Sequence, residues 1–178
     1  MAKGRAAQRK QELSKLAEKL KTDPKLANNE GMLQKLREFA RDKDTSVEAM
    51  ALLASLPGPS APDLLYALWV GTAKRTSITQ IAEELVLTKE VRAKASPALG
   101  VSLDLRRAKT CEEFLAILPR ATENGDRRSL GLLYRLSARR GCGPHKMDDC
   151  YPCLRDLDGK RALGDAIKDA RGRPAPKL

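Results

Sequence analysis

Leucine and alanine recur at three- and four-residue intervals along almost the whole chain, and each run is cut after a few turns by glycine, proline or a capping side chain. A helix brings side chains back to one face every 3.6 residues and a strand every two. The spacing therefore selects helices, and no stretch shows a convincing two-residue alternation. The fold class that follows is all-α, about ten short helices with no sheet.

Taken in order, Leu13, Leu16, Ala17 and Leu20 make one apolar stripe of a helix over residues 5–21. Thr22-Asp23-Pro24 breaks it, and Met32, Leu33, Leu36, Phe39 and Ala40 form the inner face of the next helix. Thr45 with Glu48 has the spacing of a capping box, predicting a third helix that reaches Leu56. Pro57-Gly58-Pro59 ends it; Ser60 with Asp63 reads as a fresh N-cap, followed by Leu64, Leu65, Leu68 and Trp69 as a buried side and Gly71 as the stop. Residues 77–88 form a further helix, and the stretch 88–100 is kinked or divided near Ser96 by Pro97. Thr110 with Glu113 repeats the capping-box pattern and opens a helix over 111–120 that Pro119 bends or ends. After the turn Asn124-Gly125-Asp126, residues 129–140 turn Leu130, Leu133, Tyr134 and Leu136 inward, and Gly141 terminates them. Leu157, Leu163 and Ile167 mark a last short helix.

Three stretches echo one another: DTSVEAMALLA from Asp44, EVRAKASPALG from Glu90 and GDRRSLGLLYRL from Gly125. Val47 and Val91 are 44 residues apart, and Val91 and Arg128 are 37 apart. Two-helix HEAT and armadillo repeats have periods of roughly 40–47 residues, and each pair buries its apolar side only against the next. The expected architecture is a short right-handed α-solenoid of HEAT/armadillo-like helix pairs, one domain over residues 5–170. Residues 1–4 are expected to be disordered, 142–153 to form a cysteine-rich loop, and 171–178 to be a frayed proline-rich tail.

The repeated stretches resemble HEAT-type repeats. The half from Asp63 onward also resembles the C-terminal region of myxobacterial serine/threonine-kinase-like proteins. That likeness is carried by Lys109-Thr110-Cys111-Glu112-Glu113, by Ile117–Ala121 with Gly125-Asp126-Arg127-Arg128, by Arg140-Gly141-Cys142-Gly143, by Asp149–Arg155 and by Arg173-Pro174-Ala175-Pro176. The kinase itself is absent: there is no glycine-rich loop, His-Arg-Asp or Asp-Phe-Gly sequence. The resemblance implies a helical appendage without the phosphotransferase, a protein-binding or spacer segment that in such proteins sometimes lies outside the cytoplasm.

A chain of 178 residues suits one domain that buries about two-thirds of its unfolded surface. With 42% hydrophobic but only 3% aromatic residues, its core must be leucine and alanine packed between helices. A net charge of +11 favours acidic partners, either an acidic protein or peptide surface or, as the alternative, nucleic acid contacted at its phosphates by the cluster Lys3, Arg5, Arg9, Lys10, Lys15, Lys19 and Lys21. Scarce aromatics weigh against recognition of unstacked bases. No apolar run approaches the ~20 residues of a membrane span, and the start, MAKGRAAQRK, does not continue into the apolar segment of a signal peptide.

Four cysteines and one histidine raise the remaining chemistry. Cys142, His145, Cys150 and Cys153 have a spacing that could close a structural zinc site. That reading leaves Cys111 unexplained, whereas disulfides use all four thiols. The preferred pairing is Cys142 with Cys150 and Cys111 with Cys153, although four cysteines permit three pairings and reduced thiols are a further alternative. Disulfides would favour an extracytoplasmic location, which is otherwise open. A redox role for Cys150-Tyr-Pro-Cys153 lacks the flanking strands such motifs use. The adjacent acidic pairs read as caps, and one histidine assembles no triad, so no catalytic residue and no cofactor is expected. The candidate binding residues are Arg92, Lys94, Arg127 and Arg128 on the second helices of the pairs, with Arg106 and Arg107 at a turn.

Overall fold

The computed structural model describes residues 2–177, with side chains from Gly4 onward, and is all-helical: ten α-helices, two 3-10 turns and no strand among the described residues. These residues fall into two compact units, one ending at Ser96 and the other running from Pro97 to Lys177, where the sequence reads as one domain over 5–170.

The first unit contains α1 (Ala2–Thr22), α2 (Glu30–Arg41), α3 (Ser46–Ser55), α4 (Ser60–Val70), α5 (Ser77–Leu87) and the single turn α6 (Lys89–Arg92). Met1 lies outside the described residues, and Ala2–Gly4 belong to α1. Helix α1 seats Leu13, Leu16 and Leu20, the stripe its spacing dictates, and leaves its basic faces to solvent. Arg9 ties it to Asp42 at 2.8 Å and lies over the Phe39 ring. Helices α2, α3, α4 and α5 are packing neighbours, α4 lying against each of the other three. Every residue of α4 from Ala61 to Tyr66 is buried, as expected of a helix enclosed on all sides. Its one buried carboxylate, Asp63, accepts a hydrogen bond from the Ser96 hydroxyl at 3.3 Å.

Two of the predicted caps form differently. Thr45 precedes α3 but makes no side-chain cap; its hydroxyl donates to the Phe39 carbonyl at 2.8 Å, and Glu48 pairs with Lys10. Ser60 is the first residue of α4 rather than its cap, and its hydroxyl donates to Asn28 Oδ1. In both cases a long-range partner takes the hydroxyl that a local cap would use. A capping box does form at Thr76, which exchanges side-chain and backbone bonds with Thr79.

The second unit comprises α7 (Pro97–Arg107), α8 (Cys111–Asn124), α9 (Arg127–Leu136) and α10 (Leu157–Gly172), with a 3-10 turn at Pro152–Leu154. Pro97 begins α7, so the stretch 88–100 is divided rather than kinked. The Thr110–Glu113 box opens α8 as predicted: Glu113 accepts the Lys109 and Thr110 backbone N–H groups, and these bonds hold its carboxyl below the usual range. Pro119 does not end α8, which continues to Asn124 and stops at Gly125, where a Cβ would sit 2.4 Å from the Ala121 carbonyl oxygen. Leu105, Phe114, Leu118, Leu133, Leu136, Leu154, Leu163 and Ala166 share one core. Two predicted inner residues face out. Tyr134 is exposed and hydrogen-bonds Arg171, and Leu157 is 88% exposed at the start of α10. Of the expected frayed tail, Arg171 and Gly172 complete α10, the Arg173 carbonyl accepts the Arg127 N–H, and Leu178 lies outside the described residues.

Lys94, on the turn between α6 and α7, donates to the carbonyls of Ala54 (2.6 Å) and Leu56 (2.9 Å) at the end of α3. Those carbonyls have no partner within their own helix, and the ammonium opposes the negative end of its dipole. Lys94→Met should lower unfolding stability by about 1–3 kcal/mol in urea denaturation. An unchanged midpoint would show that water serves those carbonyls as well as the lysine does.

Candidate interaction surface

The six basic residues singled out in the sequence are divided between the two units. Arg92 and Lys94 belong to the first unit, the other four to the second. Lys94 is engaged as the α3 cap, and Arg92 ends α6 half-buried. Arg128 is turned back onto Asp126 at 2.7 Å with both side chains largely buried, so it stabilises the start of α9. Arg106, Arg107 and Arg127 are exposed. Even these three are separated: Arg106 closes α7 and lies beside the last turn of α9, whereas Arg127 begins α9, about 12 Å away along the axis.

At the α7 end the chain builds a small cationic cleft. It is about 180 Å³ in volume and is lined by Leu105, Arg106, Ala108, Phe114, Leu132, Arg135, Leu136 and Tyr151. Phe114 and Tyr151 meet edge to face, 5.1 Å between ring centres, and form an aromatic wall. Arg135 is exposed on the last turn of α9, and Arg107 stands one residue beyond Arg106. No carboxylate lines the cleft. Its volume is below the roughly 300–1,000 Å³ of small-molecule sites and suits a single side chain.

Arg155 holds this end together, a role that sequence reasoning missed. Its guanidinium donates to the carbonyls of Leu136 (3.1 Å) and Ala138 (2.7 Å), closing α9, and to both carboxylate oxygens of Asp149 (2.6 and 3.0 Å). Asp149 also accepts the Tyr151 N–H at 2.8 Å, which orients the ring that walls the cleft. The Arg155 bond, and after it the Tyr151 N–H, hold the Asp149 carboxyl below the usual carboxylate range. Arg173 does the same service for α8, donating to Thr122 and Gly125 carbonyls at 2.7 and 3.1 Å. Nothing local in the sequence distinguishes Arg155 or Arg173 from a solvated arginine.

The structure joins Cys111 to Cys153 and Cys142 to Cys150, with Cα separations of 6.0 and 5.1 Å, and leaves no free cysteine. These are the two pairs preferred from the sequence. Cys150 and Cys153 thus belong to different bonds, and no thiolate is left for the zinc alternative at Cys142, His145, Cys150 and Cys153. No metal-ligating group of three or more His, Cys, Asp or Glu occurs among the described residues. No helix among them is long and apolar enough to cross a membrane.

Cys111–Cys153 closes a loop of 42 residues that fastens the start of α8 to the turn before α10. The double variant Cys111→Ser/Cys153→Ser should lose about 3–4 kcal/mol in urea denaturation, the chain entropy that the bond removes from the unfolded state. Acid should act through Asp149. Because its native pKa is lowered, its ion pair contributes fully above the unfolded value of about 4 and is lost as pH falls through the native value. Carbon-detected NMR should show the Asp149 carboxyl titrating below the ordinary aspartate value of about 4, and Arg155→Ala should move it back toward that value.

No known protein family, curated protein or solved structure matches the chain.

Proposed function

We propose that the chain is a non-catalytic, HEAT-like helical repeat module, an appendage of a larger signalling protein, which holds an acidic protein or peptide surface and acts outside the reducing cytoplasm. The HEAT-like reading rests on the 37- and 44-residue spacings and on successive helices that pack as neighbours within each unit. Two cysteine pairs at bonding distance fit an oxidising compartment.

The observation that carries the binding reading is the cleft at the ends of α7 and α9, lined by Arg106 and Arg135 and by no carboxylate. Cations fixed by internal partners, such as Lys94, Arg128 and Arg155, cannot serve a ligand without breaking the fold. Arg135 extends from the last turn of α9 into solvent at the cleft. A glutamate or aspartate entering the cleft would meet charge-assisted hydrogen-bond donors above an aromatic wall. Nucleic acid is the alternative, through the exposed lysines of α1, but so few aromatic residues leave little for a base to stack upon.

Nitrogen-15 NMR titration of the full chain with a synthetic glutamate-rich peptide tests the reading. Expected are shifts clustered at residues 105–108 and 132–136 that weaken with salt, and about a tenfold loss of affinity in Arg135→Glu. Tighter binding of duplex DNA, with shifts along α1 and a steep salt slope, would transfer the function to the nucleic-acid alternative.

A further inference from the structure

The loop between Cys142 and Cys150 carries more restraint than its surroundings require. Its disulfide joins positions eight apart within a single connection and fastens no two helices together. Inside it Cys142 and Asp148 exchange both backbone hydrogen bonds at 3.0 Å, Gly141 donates to the Lys146 carbonyl and Lys146 to that of Gly143. Gly143 (φ 73°) and Lys146 (φ 55°) both adopt the left-handed conformation, and Lys146 is the only non-glycine among the described residues to do so. A side-chain-bearing residue is held there only where its surroundings over-determine it. Yet residues 141–148 are all exposed, and none belongs to the core of the second unit. The restraints fix the shape of a surface feature and do not support packing.

We propose that this pinned loop is the second half of the recognition surface and offers Met147 to an apolar residue within the acidic segment held by the cleft, an inference that rests on the cleft reading above. The loop rises from the cleft itself: Tyr151, which lines the cleft, follows Cys150, and Asp149 is clamped by the same Arg155 that closes α9. Met147 is 58% exposed beside the exposed Lys146, and Arg140 at the foot of the loop is exposed as well. Asp149 is paired with Arg155, and the exposed Lys146 and Arg140 outnumber the one remaining carboxylate, Asp148, so the outward charge is net positive and complements an acidic partner. A thioether adapts to apolar partners of varied shape, and prior rigidity removes the ordering cost from binding.

Two synthetic peptides distinguish the possibilities, one glutamate-rich with a single central leucine and one with alanine in its place. Against the full chain the leucine peptide should bind roughly fivefold or more tightly. That preference should vanish in Met147→Ala and in Cys142→Ser/Cys150→Ser, with helical circular dichroism retained. A leucine preference that survives Met147→Ala overturns the inference. So does equal binding of both peptides through Arg135, which leaves the cleft reading standing. If neither peptide binds, both readings are overturned. Should the double serine variant misfold, Met147→Ala alone decides.

Discussion

Short helices leave many carbonyls without partners, and the way this chain satisfies them governs much else in its structure. Each α-helix ends with four carbonyls that its own backbone cannot reach. In three places a cation from elsewhere in the chain closes the gap: Lys94 on the end of α3, Arg155 on α9 and Arg173 on α8. Each donates to two backbone oxygens and opposes the negative end of a helix dipole. Each also crosses a distance in sequence, so it fixes tertiary arrangement as well as a helix end. A chain built from leucine and alanine, whose apolar faces are nearly interchangeable, gains register from such bonds. Part of the +11 charge is therefore structural, and the surface available to a partner is smaller than composition implies.

In the second unit the polar bonds and the disulfides divide the work. Cys111–Cys153 draws the beginning of α8 to the segment that leads into α10, where Leu154 enters the common core. Arg155, two residues beyond Cys153, then closes α9 and clamps Asp149. Cross-link, apolar anchor and cap thus fall within three consecutive residues, Cys153-Leu154-Arg155. Cys142–Cys150 lies outside this joint and restrains only the exposed loop.

What the sequence disclosed and what it concealed divide along the range of the interactions. Apolar spacing placed Leu13, Leu16 and Leu20 on one buried stripe and predicted the helices, because that signal lies within a few residues. The Thr110–Glu113 box formed as its pattern requires. The same pattern at Thr45 and Glu48 did not, because Phe39 offers a carbonyl to the threonine and Lys10 an ammonium to the glutamate. Tyr134 has the spacing of an inner residue but lies where Arg171 donates to its hydroxyl oxygen, and Pro119 is carried inside α8. Among the six candidate binding residues, Lys94 is claimed by the carbonyls at the end of α3 and Arg128 by its near neighbour Asp126. Arg135, on the rim of the cleft, went unnoticed because only the fold brings the ends of α7 and α9 together.

The distinction between fixed and extended cations also bears on affinity. An arginine held by carbonyls has already lost its rotamer freedom in folding. One that reaches into water, like Arg135, would lose it on engaging a partner, at a cost of about 0.5–1.5 kcal/mol per side chain. Exposed ion pairs return only about 0–1 kcal/mol, so such an arm by itself would nearly break even. A surface of this kind binds usefully only if some neighbouring element contributes contacts without a further ordering cost. Beside the cleft the element proposed for that part is a loop whose backbone is already closed on itself by one disulfide and by the paired bonds of Cys142 and Asp148.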